Sequence, residues 1–172
     1  MHKITFAVLM GLVVLALATK DVQASDTRLI GTYGDWMAYV FKENGNDVCY
    51  MASQPVKAEG NYTRRGDIYA LVTHRPAEGT KNVFSYITGY PYKPSSDATV
   101  KVGSQRFSLF TQDETAWAPD SETDNKIAAA IKKGSNMVVT GMSARGTRTT
   151  DTFSLKGSSA AYEAMSRECG VK

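Results

Sequence analysis

This 172-residue chain has little of the chemistry that enzymes display: two histidines, two cysteines and two tryptophans. His2 falls in the N-terminal leader described below, which leaves His74 as the one histidine of the body. A zinc centre needs three or four suitably placed ligands, and one histidine with two cysteines does not supply them. No glycine-rich phosphate loop, nucleophile elbow or dinucleotide fingerprint occurs. The formal charge of +3 is too mild for a nucleic-acid binder. Beyond the N-terminus no run is long and apolar enough to cross a bilayer. There are no repeats, low-complexity tracts or linkers, so residues 25–172 read as one domain.

What is present begins with "MHKITFAVLMGLVVLALATKDVQASD". Lys3 is a short basic region, Ile4 to Ala18 is apolar, and Val22-Gln23-Ala24 is a small-residue cleavage site. The apolar run is roughly 15 residues, short of the ~20 that span a membrane, so a cleaved signal peptide over 1–24 is expected rather than an uncleaved anchor. Export puts the chain in an oxidising compartment, where disulfides persist. Cys49 and Cys169 are then expected to bond to each other; two independent buried thiols are the alternative that spacing leaves open. The expected location is periplasmic or outer-membrane-associated.

Turn signals at short intervals point to antiparallel strands. Residues 36–41 are apolar on both faces, and Asn44-Gly45 suits a hairpin turn with two positive φ angles, returning through 48–53. A polar loop is expected over "KAEGNYTRRGD". Strands are expected over 68–76 and 82–90, then two hairpins turning at Gly103-Ser104 and near Arg145-Gly146. A helix is expected over "SETDNKIAAAIKKG", with Ser121 as N-cap, acids Glu122 and Asp124 in the first turn, Lys132 and Lys133 in the last, and Gly134 left-handed beyond it. A second helix starts near Ser158 and places Tyr162, Met165 and Cys169 on one stripe. The fold class is therefore mainly β: an antiparallel sandwich or partly closed barrel with two short helices, one of them C-terminal.

The ordered set "GDW", "VCYMASQP", "IYALVTHRP", "TAWAPD", "MVVTGMSARGTRTTDTFSLKG" and "SAAYEAMSREC" resembles the invasion-associated locus B family of alphaproteobacterial envelope proteins, from about Gly34 to Cys169. The resemblance implies an exported β-rich protein, with some relatives linked to host-cell entry, and it brings no catalytic residues. Ser158 departs from the family, which often carries an aromatic after "LKG".

Candidate sites each have a plainer account. His74 could pair with a serine or acid as a hydrolase dyad, but a surface or capping role is more ordinary. Asp113, Glu114, Asp120, Glu122 and Asp124 could hold paired carboxylates for acid–base work; a solvated turn and a helix N-terminus explain them more simply. Arg65-Gly66-Asp67 spells an integrin-type adhesion tripeptide in an expected exposed loop, although Gly-Asp before a strand is common turn chemistry. Tyr90 and Tyr92, in "TGYPYKP", are expected at the surface or closing the edge of the core. Asn61-Tyr62-Thr63 fits a glycosylation sequon and is expected to be silent in a bacterium. No enzyme activity, cofactor or metal is expected. The expected partner is an unidentified envelope or host protein, with peripheral membrane association open, nucleic acid excluded and the oligomeric state illegible. An edge-strand chaperone or inhibitor is the alternative.

Overall fold

The structure is a computed structural model and describes residues 26–172. The expected leader over 1–24 lies outside the described residues. Eleven strands run β1 Arg28–Tyr33, β2 Trp36–Glu43, β3 Asn46–Ser53, β4 Lys57–Gly60, β5 Tyr69–Arg75, β6 Thr80–Ile87, β7 Ala98–Val102, β8 Gln105–Gln112, β9 Thr115–Trp117, β10 Asn136–Met142 and β11 Arg148–Ser154. Helices α1 Ser121–Lys133 and α2 Ser158–Glu168 complete the chain.

The strands form one antiparallel array in the order β1-β2-β3-β5-β6-β9-β8-β7-β10-β11-β4. β8 turns the corner: Gln105–Leu109 pair with β7, and Phe110–Gln112 pair with β9. The two halves fold onto each other, so the Trp36 indole N–H on β2 donates to the Ser154 carbonyl on β11 at 3.0 Å. The outer strands β1 and β4 are not paired to each other, so the array is sandwich-like and not a closed barrel. Neither edge offers a long template. β4 has four exposed residues including Lys57 and Glu59, and β1 is interrupted by a bulge between Leu29 and Gly31.

Alternation sets which face is buried. Trp36, Ala38 and Val40 of β2, Cys49 and Met51 of β3, Val72 of β5 and Phe84 and Tyr86 of β6 point inward, joined by Ile127 and Ile131 of α1 and Met165 of α2. α2 packs against β1, β2 and β3, and α1 against β6. The Cys49–Cys169 disulfide fastens the end of α2 to β3 across a separation of 120 residues. Ser158 is buried and donates to the Ile131 carbonyl at 2.9 Å, so the position that departs from the family pattern ties the start of α2 to α1. Just before it, Gly157 has φ +88°, and a Cβ there would lie 1.9 Å from the Tyr33 oxygen, so only glycine fits.

Several expectations are corrected. Asp120, not Ser121, is the N-cap of α1, its carboxylate accepting from the Thr123 N–H at 2.7 Å. Gly134 is extended (φ −84°), not left-handed. Lys57–Gly60 is a strand rather than part of a loop, and β1 and β9 had no expectation. The buried face of α2 runs through Ala161, Ala164 and Met165, while Tyr162 and Cys169 flank it half-buried. Among the described residues no helix is long and apolar enough to cross a membrane.

Candidate functional site

Three regions hold the residues that could act. The first surrounds His74, which is fully buried on the inward face of β5, next to Cys49 in register. It is not the surface or capping residue the sequence suggested. The Asn82 backbone N–H donates to Nδ1 at 3.1 Å, so Nε2 carries the proton and donates to the Ser166 hydroxyl, also at 3.1 Å. Burial, with the charges of Lys81 and Lys132 acting in the same direction, depresses its pKa to about 4. A neutral imidazole that donates to a serine cannot also take that serine's proton. No carboxylate among the described residues bonds the ring. Tyr162 packs edge-on at 5.4 Å and donates to the Asn82 side chain at 2.7 Å, which in turn bonds Asn125 at 2.6 Å. The network welds α1 and α2 to β5 and β6.

Of the five acids, Asp113 and Glu114 are exposed in the β8–β9 turn, and the other three have structural partners. Asp120 caps α1, Glu122 pairs with Lys126 at 2.6 Å, and Asp124 accepts from the Phe84 N–H at 2.8 Å. That last bond closes the β6 edge beyond the end of β9.

The second region is a cleft of about 590 Å³ between the β4–β5 connection, residues 89–91 and the β10–β11 turn. Beneath it lies Arg65, whose side chain is only 4% exposed. Its guanidinium grips Asp151 with two bonds at 2.7 and 2.6 Å and donates to the Thr88 carbonyl at 2.7 Å. The Tyr86 hydroxyl donates to the same carboxylate. Burial alone would lower the Arg65 pKa, but the bond to Asp151 together with the Tyr86 and Asp151 charges and the Tyr62 bond outweighs it, and the net displacement is upward. Burial and then the Asp151 charge raise that of Tyr86. The guanidinium also lies between two rings, 5.3 Å from Tyr62 and 5.0 Å from Tyr90.

The adhesion tripeptide is therefore not displayed as a unit. Arg65 faces inward, and Gly66 sits where two backbones cross, its N–H bonding the Gly89 carbonyl at 2.8 Å, while Asp67 is exposed. Of the two tyrosines, Tyr92 is buried and its hydroxyl has no hydrogen-bond partner. Tyr90 is half-buried, bonds the Thr149 hydroxyl at 2.6 Å and lines the cleft.

The third region was foreshadowed by the two apolar faces of residues 36–41. It is the outward face of β1, β2, β3, β5, β6, β9 and the end of β8. Register sets two rows across it. One runs Leu29, Tyr39, Tyr50, Thr73, Val83; the other runs Met37, Ala52, Leu71, Ser85, Trp117, Phe110. Tyr39 and Tyr50 stack at 5.0 Å, and Phe110 and Trp117 at 5.7 Å. Both helices pack on the opposite, inward side, so Leu29 stays 49% and Phe110 47% exposed. Between the rows lies a shallow recess of about 410 Å³, bordered by Phe41, Tyr50, Leu71 and Trp117. The Arg75–Glu43 pair stands at its rim.

The class defined by this architecture is a mainly β, sandwich-like domain clasped by one disulfide. The sequence model described as "Invasion associated locus B (IalB) protein" matches residues 36–166, and the chain belongs to that family. A crystal structure of invasion associated protein B from Bartonella henselae has the same fold, with a TM-score of 0.58 at 16% identity over 85% of this chain and 97% of that one. No curated protein matches.

Proposed function

We propose that this is a non-enzymatic protein, exported to the periplasm or outer membrane through a cleaved signal peptide, that works by binding a protein partner of the envelope or host. One observation carries the reading: the two-row aromatic face is left open by both helices. Met37, Tyr39 and Tyr50 stand on one side of it and Trp117 and Phe110 on the other, with Leu71, Thr73, Val83 and Ser85 between them and the Arg75–Glu43 pair at the recess. That composition is the one enriched at the cores of protein interfaces, where Tyr, Trp, Phe and Met gather and charge is depleted. A membrane-binding surface would be expected to carry a basic polar margin, whereas Arg75, the charged residue lining the recess, is paired with Glu43.

Family membership supports an association with invasion, and the disulfide fits an oxidising compartment. The sealed state of His74 argues against the hydrolase alternative. The edge-strand alternative has only the four charged-flanked residues of β4 and the bulged β1 to offer.

The test is chemical cross-linking of the intact envelope with the unaltered chain and a Tyr50→Ser/Phe110→Ser variant that is shown to fold. A partner adduct present with the first and lost with the second supports the proposal. Self-adducts alone would make the face a dimer contact, and co-flotation with vesicles alone would make it a membrane contact; either overturns the choice of a protein partner.

A further inference from the structure

The cleft above Arg65 is separate from the aromatic sheet face and has a different chemistry. Its lining includes Arg64 and Arg145, contributed by two different loops, and contains no carboxylate. Both arginines are exposed and neither forms an ion pair with a described residue. Arg65 is already neutralised by Asp151, so it adds no free charge and acts as the support for Tyr62 and Tyr90. That support is stiff. The arginine is fixed by a bidentate carboxylate, Tyr90 is pinned by Thr149, and Gly66 and Gly89 hold the two backbones in contact. A volume of about 590 Å³ lies within the range of small-ligand pockets.

We propose that this cleft binds a phosphomonoester carried on a ring-shaped polar body. Two free guanidinium groups on separate walls match a dianion, and arginine forks suit phosphate oxygens. The outer face of Tyr62, 37% exposed, and Pro91 give flat apolar surface for the body of a sugar ring. Asn61 and Thr147, also in the lining, supply hydrogen-bonding groups for its hydroxyls. The same phosphate could be offered by a soluble sugar phosphate or by a lipid headgroup.

Calorimetric titration of the folded chain with glucose 1-phosphate tests the proposal, with glucose and glucuronate as controls. Sedimentation with phosphatidylcholine vesicles containing phosphatidic acid forms the second arm. The comparison variant is Arg64→Gln/Arg145→Gln, whose substituted side chains are exposed, so its melting temperature should match that of the unaltered chain. Saturable binding of glucose 1-phosphate that weakens by about tenfold or more in the variant supports the proposal. Binding to the vesicles alone, lost in the variant, would assign the phosphate to a lipid and overturn the ring-shaped body. Absence of binding in both arms overturns it, as does equal binding by the variant. Glucuronate or glucose bound as tightly as glucose 1-phosphate overturns the choice of phosphate. The aromatic face is untouched by this variant, so the cross-linking result above stands or falls independently.

Discussion

The inward and outward faces of the β2-β3-β5-β6 sheet are built from strands of similar apolar content, yet they do different work. Inward, every large side chain is covered, and the buried polar groups are paired: His74 with Ser166 and the Asn82 N–H, Asp151 with Arg65 and Tyr86. Outward, aromatic side chains lie in register with one another but nothing covers them. Burial with these groups paired gives stability and leaves them no freedom to react; register without a cover leaves apolar area for another molecule. Substitutions inside should therefore change stability, and those outside should change association.

The largest effect is expected where the inward face is clasped. Replacing both Cys49 and Cys169 by Ser should lower unfolding free energy by up to about 4–5 kcal/mol, because a loop of this length is no longer closed in the unfolded chain. Denaturant titration measures it, and an unchanged midpoint would contradict the clasp. Next comes Arg65→Met, which leaves the Asp151 carboxylate buried without its partner and should cost about 3–5 kcal/mol. Adding Asp151→Leu to it should restore much of that loss, whereas a surface ion pair would show neither the loss nor the recovery.

His74 gives a pH-dependent version of the same contrast. Its folded pKa of about 4 lies below the ordinary value of 6.5, so between these values the unfolded chain binds a proton that the folded chain refuses. Stability is fully present above about pH 6.5 and declines as pH falls toward 4. Melting curves of the His74→Gln variant should decline less steeply across that window than those of the unaltered chain. Parallel curves would mean that the imidazole is not held neutral. The smallest stability effect is expected outside: Phe110→Ser, at a 47% exposed position, should change stability by less than about 1 kcal/mol while weakening partner capture. A large loss of stability there would erase the distinction between the faces.

Much of the layout was legible in local chemistry. Asn44 and Gly45 do take positive φ at the first hairpin, Gly103 and Gly146 do so at the later ones, and both helices and the disulfide lie where composition and compartment placed them. What stayed hidden depends on distant partners. β9 is three residues long and exists because β6 and β8 flank it. β4 is wholly polar or small and is a strand only through β11. Arg65 and Asp151 lie 86 positions apart, so nothing near Arg65 marks it as a buried cation rather than the head of an adhesion tripeptide. The aromatic rows are a product of register across seven strands, and the doubly apolar 36–41 segment was a local hint of them.

The central claim is that the outward aromatic face is the contact surface. It is tested most directly by placing a photo-activated cross-linking residue at Tyr50, at Phe110 and, for comparison, at exposed Lys101 on the other layer, in living cells. The account predicts one protein adduct of the same mass from Tyr50 and Phe110, and none from Lys101. No adduct from either face position, or the same adduct from Lys101, would contradict it.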